Sequence, residues 1–502
     1  RDRSPSRGLG DVYKRQEGNM KKIGKVLNNY FKLQERGSTV FKEILGGVLV
    51  FFAMLYILPV NTSIISSTGI SSGAVFAATA ICSGICCLIM GIVGNYPVAL
   101  SAGMGMNAYL AFTVCGQLGY TWQEGLAVVI LSGIIFFIFT VTPIRRIIID
   151  AIPQSLKYTI SAGLGAFICF VGLKMGGIIQ ANGSTFVSLG NLNPANGNAY
   201  VLLALFGIIL AFALMVVKNK YINTFAILIS MFVVAAIGLI LGAFNVPNMP
   251  SFSGDTGSIG DIKDVFGKSI LAIPTILTKP QTYGVVFSFV MVHLFDTSAT
   301  LIAISEPIGA IDKETGKVKV GTRVMMADAT GGIISGIFGT SPVTSFAEST
   351  VGVESGARTG IAAITTGLLF FLSLAIFPVF NVFAGINVNG TVYTPCTSMA
   401  LVSVGALMFS NLRKINWNEK IDIMACFITF IMILLTYSIT NGIALGLIFY
   451  AVMRLVSGKG KETSPVIWIL AVLFTAMFVV DIFVTSSSSL SVLNCFLNLR
   501  RN

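Results

Sequence analysis

The residues able to do chemistry in this chain are few, and they lie inside long apolar stretches. His293 and Asp296 occur in VMVHLFDTSATLIA (290–303), Glu348 in GTSPVTSFAEST (339–350) and Asn107 in SAGMGMNAYLAF (101–112). His293 and Asp296 are three residues apart and Asp296 and Thr300 four apart, so on a helix they share one face. An ionisable side chain at the centre of a membrane-length apolar segment costs about 2.5–3.5 kcal/mol on insertion scales, so each one calls for a partner or a ligand. A buried carboxyl group is held toward its neutral form and can therefore take up and release a proton near neutral pH. As a carboxylate it accepts charge-assisted hydrogen bonds from N–H groups, stronger than neutral ones. Asp296 and Glu348 suit these two tasks, and spacing does not say which does which. His293 fits a proton site or, equally, a buried imidazole satisfied by a neighbour. Asp328, near the start of its segment, and Lys174, near an end from which it can reach the interface, complete the charged set inside the apolar runs.

The elements that must position these groups follow from composition. The chain has 502 residues, is 54% hydrophobic and 11% charged, and has a mean hydropathy of +0.84. Runs such as VVILSGIIFFIFTV (128–141) and LLFFLSLAIFPVF (368–380) do not alternate as strands of a membrane barrel would. The fold class is therefore an all-α polytopic membrane protein embedded in the lipid bilayer. Apolar segments fall near 44–64, 73–92, 98–116, 125–144, 156–178, 200–217 and 222–243, and then near 283–303, 324–338, 340–353, 359–380, 395–411, 422–438 and 440–456. That is fourteen, seven plus seven; a further run at 466–484 either spans or lies in the interface.

In a soluble protein the formal charge of +12 would point to nucleic acid. Here Lys and Arg gather in alternate short loops: Arg145, Arg146 and Lys157; Lys218 and Lys220; Lys313, Lys317, Lys319 and Arg323; Arg358; Arg413, Lys414 and Lys420. Loops 65–72, 179–199 and 381–394 carry neither residue. The pattern reads as topology, with a cytoplasmic N-terminus in the cell membrane, and no nucleic-acid partner is expected. Eight cysteines, mostly within apolar runs and without CxxC pairs, read as small buried hydrophobes. Residues 1–19 differ in texture from the rest and are expected to be an expression or sequencing scar, with 20–43 a cytoplasmic lead-in.

An odd number of spans per half makes two homologous halves inverted relative to each other, as in many carriers that work by alternating access. The expected division is a first repeat at 44–243, a connecting loop at 244–282, a second repeat at 283–456 and a C-terminal segment and tail at 457–502. The third segment of each half is short, interrupted by Gly or Pro, and rich in small polar residues, and Asn107 and Glu348 occupy matching places in the two. Broken helices in corresponding positions of two halves are the best sequence pointer to a binding site, because unwound backbone must find partners around a cavity or ligand.

At MGMNAYLAFTV (104–114), LFDTSATLI (294–302), GTSPVTSFAESTVGVESGARTG (339–360) and TYSITNGIALG (436–446), the chain resembles the adenine/guanine/hypoxanthine permeases, a branch of the nucleobase–ascorbate transporter superfamily. The likeness runs from about 41 to 456, in order. It implies fourteen segments in two inverted repeats, with a core domain (44–144 and 283–380), a gate domain (156–243 and 395–456), and broken third and tenth segments meeting at the substrate. It also implies transport of a purine base, usually with protons and with no other cofactor, and often as a homodimer. By motif, Asn107, Asp296 and Glu348 stand at the family's substrate-contacting Asn, eighth-segment Asp and tenth-segment Glu. The chain departs from the family pattern at His293, where an Asp is common, at Ala299, where a Gly is common, and at GAR ending in Arg358, where the family reads GGR. An imidazole in place of an acid changes both hydrogen bonding and proton inventory.

The resulting expectation is a secondary purine carrier. Glu348 accepts ring N–H groups, Asn107 offers an amide, and Thr340, Ser341 and Thr344 lie on the stretch whose backbone contacts the base. Asp296 with His293 binds the proton, Glu348 being the other titrating group, and Phe346, Phe112 or Tyr109 stacks on the ring. An anion carrier would want a cationic or backbone site at helix ends, against which Glu348 argues. An intramembrane enzyme finds little support from a single His without HExxH or GxSxG.

Overall fold

The computed structural model describes residues 28–251, 258–305, 308, 321–383, 385–388 and 390–479. Residues 1–19, the closing 480–502 and the basic-loop residues Lys313, Lys317 and Lys319 lie outside the described residues. Helices dominate, since an apolar run in hydrocarbon satisfies its backbone only within itself. Among the described residues nine helices are long and apolar enough to cross a membrane: Val40–Ser66, Ser72–Gly94, Trp122–Val141, Gln154–Met175, Ala199–Val216, Ala226–Ala243, Gly360–Phe380, Pro395–Lys414 and Ile439–Val456. The more polar helix Gln281–Ser305 carries His293 and Asp296, and the shorter Thr322–Phe338 carries Asp328. Of the run at 466–484, the described part is the helix Pro465–Val479. It lies against Gln281–Ser305, with Phe474 and Phe287 rings 5.1 Å apart.

Glycine brings helices from distant parts of the chain into backbone contact. A Cβ on Gly405 would meet the Gly165 carbonyl oxygen at 2.3 Å, locking Pro395–Phe409 to Gln154–Met175. A Cβ on Gly133 would meet Ile333 N at 2.7 Å, locking Trp122–Val141 to Thr322–Phe338. Small residues at such crossings are how membrane helices gain packing without a hydrophobic driving force.

The third and tenth segments are more than kinked. Leu100–Ala102 (β1) continues through Gly103 into the helix Met104–Ala108, and Val343–Ser345 (β4) leads to the helix Ser349–Glu354. β1 and β4 pair antiparallel, Leu100 opposite Ser345, Ser101 opposite Thr344 and Ala102 opposite Val343. Gly103 N–H to Pro342 O (2.9 Å) and Phe346 N–H to Ala99 O (3.0 Å) extend the ladder at both ends. Each unwound stretch thus satisfies the other's backbone, the accounting that burial demands. A Cβ on Gly331 would meet Val343 O at 2.2 Å, so only glycine lets the helix Thr322–Phe338 lie this close to β4.

Two of the loops that carry no Lys or Arg, 179–199 and 381–394, contain short hairpins, a correction to the all-α reading. Ile179–Asn182 (β2) pairs with Phe186–Leu189 (β3), and Ile386–Val388 (β5) with Thr391–Tyr393 (β6). Their turns use Asn182, whose side chain accepts the Ser184 N–H (2.8 Å), and Gly390, at φ +82°. The seven described cysteines are free, five of them buried.

Of the basic loops, those among the described residues at 145–157, 218–220, 358 and 414 gather at one end. The Arg36 guanidinium reaches Asn95 O (2.7 Å) and Arg358 O (3.2 Å), and Lys220 pairs with Glu354 (2.9 Å). Beneath them Glu43, wholly buried, accepts the backbone N–H groups of Arg358 (2.7 Å) and Thr359 (3.1 Å) and so caps the helix Gly360–Leu372. Glu43→Ala leaves both donors bare, and a loss of about 1–3 kcal/mol is expected, read as a lower thermal midpoint in detergent.

Candidate functional site

A cavity of about 1830 Å³ opens beside the crossing of β1 and β4. Its inner wall includes Tyr56, Gly103, Phe295, Asp296, Phe346 and Glu348; its outer part is lined by charged residues of the basic loops. Tyr56 lies where the first span breaks, between the helices Val40–Met54 and Ile57–Ser66. Its hydroxyl donates to Glu348 Oε1 at 2.5 Å, and Glu348 itself heads the helix Ser349–Glu354. Asp296 accepts from Thr344 Oγ1 (3.3 Å) on β4. Both carboxyl groups line the one cavity. Asp296 Oδ1 has no hydrogen bond among the described residues, which leaves an acceptor for whatever enters, while the Glu348 carboxylate is oriented by Tyr56 and by its own backbone N–H.

A second layer lies behind this wall. Asn61 Nδ2 donates to Thr79 Oγ1 and Thr340 Oγ1, both at 2.8 Å, and its Oδ1 accepts from Asn107 Nδ2 and Ser341 Oγ, both at 3.1 Å. Asn107, Thr340 and Ser341 are thus brought together, but around Asn61 rather than on the cavity wall. The Asn107 Oδ1 is buried without a partner.

A third group anchors β4. Asp328 is wholly buried and accepts the Ser345 N–H (2.9 Å), the Ser345 hydroxyl (2.6 Å) and the Thr297 hydroxyl (2.8 Å). His293 Nε2 stands 3.5 Å from Asp328 Oδ2, at ion-pair distance but outside hydrogen-bond geometry, and its ring stacks on Phe136 at 4.1 Å. His293 therefore faces Asp328 while Asp296, one turn on, faces β4 and the cavity. Of the three candidate aromatic rings, Phe346 lines the cavity. Tyr109 packs edge-on to Phe289 (5.0 Å) and Phe112 lies beneath Lys174 (5.2 Å), both away from it.

Tyr56, Asn61 and Asp328 are the residues of this site that sequence reasoning left out of its candidate list. Asn61 and Asp328 carried a signal, a polar side chain within an apolar run; Tyr56 carried none, because its hydroxyl matters only through a carboxylate 292 residues away.

The chain is 38% identical over 462 residues to the guanine/hypoxanthine permease PbuG of Bacillus subtilis (strain 168), covering 90% of this chain and 99% of that one. It is 34% identical over 449 residues to the adenine permease AdeP of Escherichia coli (strain K12), covering 89% and 95%. The solved transmembrane domain of a cyanobacterium bicarbonate transporter, BicA, superposes with a TM-score of 0.53 over 81% of this chain and 97% of that one. At 14% identity that likeness concerns the fold alone. The permease-family model Xan_ur_permease matches residues 41–445, and the chain belongs to that family, the nucleobase–ascorbate transporters.

Proposed function

We propose that this protein is a secondary transporter that carries purine nucleobases, such as adenine, guanine or hypoxanthine, across the cytoplasmic membrane by alternating access, with protons as the coupling ion. The observation that carries the reading is the pair Glu348 and Asp296, two carboxyl groups facing one cavity beside the crossed, unwound third and tenth segments. Relatives named as guanine/hypoxanthine and adenine permeases support the substrate class. An anion carrier would place cations or bare helix ends where these carboxyl groups stand.

In this reading Glu348, oriented by Tyr56, accepts ring N–H groups of the base, and Phe346 packs on its face. Asp296, with His293 behind it, carries the proton. Asn107, Thr340 and Ser341 hold the crossing in shape from the second layer, and Thr344 holds Asp296 against β4. The fourteen segments form two inverted repeats, 44–243 and 283–456, with a core (44–144, 283–380) moving against a gate (156–243, 395–456). The N-terminus and the basic loops are cytoplasmic, so the cavity is open inward. Proton and base together favour one state over the other, which is what couples them.

The test is uptake of radiolabelled adenine, guanine and hypoxanthine into a purine-transport-deficient bacterium at two external pH values. Accumulation above the medium concentration, greater at the lower pH and abolished by an uncoupler, is the expected result. Equilibration without accumulation would make the protein a passive channel, and no uptake of any base would remove the substrate assignment.

A further inference from the structure

One charge at the cavity is unexplained by base transport. Arg145 is 4% exposed and lines the same cavity as Glu348 and Asp296. Its Nη1 makes one long contact, to Thr140 Oγ1 at 3.4 Å, and its guanidinium lies over the Phe136 ring at 5.0 Å. Its Nε has no partner, and among the described residues no carboxylate comes within ion-pair distance of it. The charge nearest in effect is Asp328, which acts on Arg145 from beyond ion-pair distance and is already engaged by Ser345 and Thr297, so the guanidinium faces the cavity with no anion in contact, a costly arrangement for a buried arginine. Topology does not account for it, because a charge that merely orients a loop is served by an exposed side chain.

Its surroundings share the sign. Of the other cations lining the outer cavity, Arg146 pairs with Asp150 (3.7 Å) and Lys220 with Glu354 (2.9 Å), while Lys157, Lys218 and Lys414 have no carboxylate at ion-pair distance among the described residues. Arg145 is also tied to the inner site: Phe136 contacts both its guanidinium and the His293 ring, and His293 stands 3.5 Å from the Asp328 that holds β4. One cavity therefore has carboxyl groups suited to a base and, among the residues lining the same cavity, a buried planar donor with no anion in contact that suits a phosphate.

We infer that Arg145 forms the phosphate subsite of a purine nucleoside 5′-monophosphate entering from the cytoplasmic side, the base lodging near Glu348 and the phosphate on Arg145. The inference rests on the purine reading above and deepens it. A bound nucleotide is too polar to be carried and holds the cavity open, so the phosphorylated form of the base restrains entry of more base.

Calorimetric titration of the purified full-length chain tests this directly, with adenine, adenosine and AMP, the guanine series, and inorganic phosphate as probes. In the wild type a monophosphate is expected to bind at least tenfold tighter than its nucleoside, and in Arg145→Gln that preference falls to less than threefold. The substitution removes a buried charge with no anion in contact but also its stacking on Phe136 and its attraction to Asp328, so the elution profile is expected to stay monodisperse with at most a small fall in thermal midpoint. Should it fail to fold, Arg145→Lys, which keeps the charge but not the fork, is expected to retain only part of the preference. Equal binding of nucleoside and monophosphate, or a preference that both variants retain in full, overturns the subsite. Inorganic phosphate binding as tightly as the nucleotide overturns it too, in favour of a site for the free ion. Free bases that bind while monophosphates gain nothing leave transport standing without the subsite. Bases that fail to bind while a monophosphate binds through Arg145 remove the transport reading and leave the subsite.

Discussion

Glu348→Gln is expected to lower purine uptake at subsaturating concentration by about 30-fold or more, with the protein still folded and inserted. The side chain keeps its shape, and its remaining carbonyl oxygen can still accept the Tyr56 hydroxyl that now lies 2.5 Å away. What changes is the other oxygen, which becomes an NH₂ group and meets the N–H of a base with a second donor. A hydrogen bond to a charged group contributes about 1.5–3 kcal/mol, and each 1.4 kcal/mol is tenfold in affinity. Concentration-dependent uptake in whole cells, normalised to protein in the membrane, reads the effect. Tyr56→Phe removes only the positioning bond and is expected to cost severalfold, chiefly in apparent affinity. A Glu348→Gln protein that accumulates purine as wild type does would remove Glu348 from the substrate site.

The largest effect on the fold is expected at Asp328. Asp328→Ala strips three hydrogen bonds at once, two of them from Ser345 on β4, and leaves the buried Ser345 N–H bare. Removing one partner from a buried charged network costs about 3–5 kcal/mol, enough to take most of the stability of a domain. Little monodisperse protein should be recovered after detergent extraction. Asp328→Asn retains an oxygen for Ser345 and a group that the Thr297 hydroxyl can turn to face, so it is expected to fold with a lowered thermal midpoint. The contrast between the two variants separates a structural anchor from a residue needed only for transport, which would lose activity in both and stability in neither.

Hydropathy along the chain determined that this is a helical membrane protein and where its apolar segments lie, and Gly and Pro marked the breaks in the third and tenth, but not the break of the first span at Tyr56. It also determined that the carboxyl groups at 296 and 348 need a reason to be there. These are local properties: a helix in lipid satisfies its own backbone, so composition over about 20 residues suffices to read it. What the unwound stretches at 100–102 and 343–345 pair with is not local, because their N–H and C=O groups must find partners elsewhere, and only the tertiary structure decided that they pair with each other. The same non-locality turned Asn107 toward Asn61 rather than the cavity, set Tyr56 on Glu348, and separated His293, facing Asp328, from Asp296, facing β4. Nor could any pattern of charge in the sequence tell the buried Arg145 from its exposed neighbour Arg146, since burial depends on the helices that close over a residue and not on the residue itself.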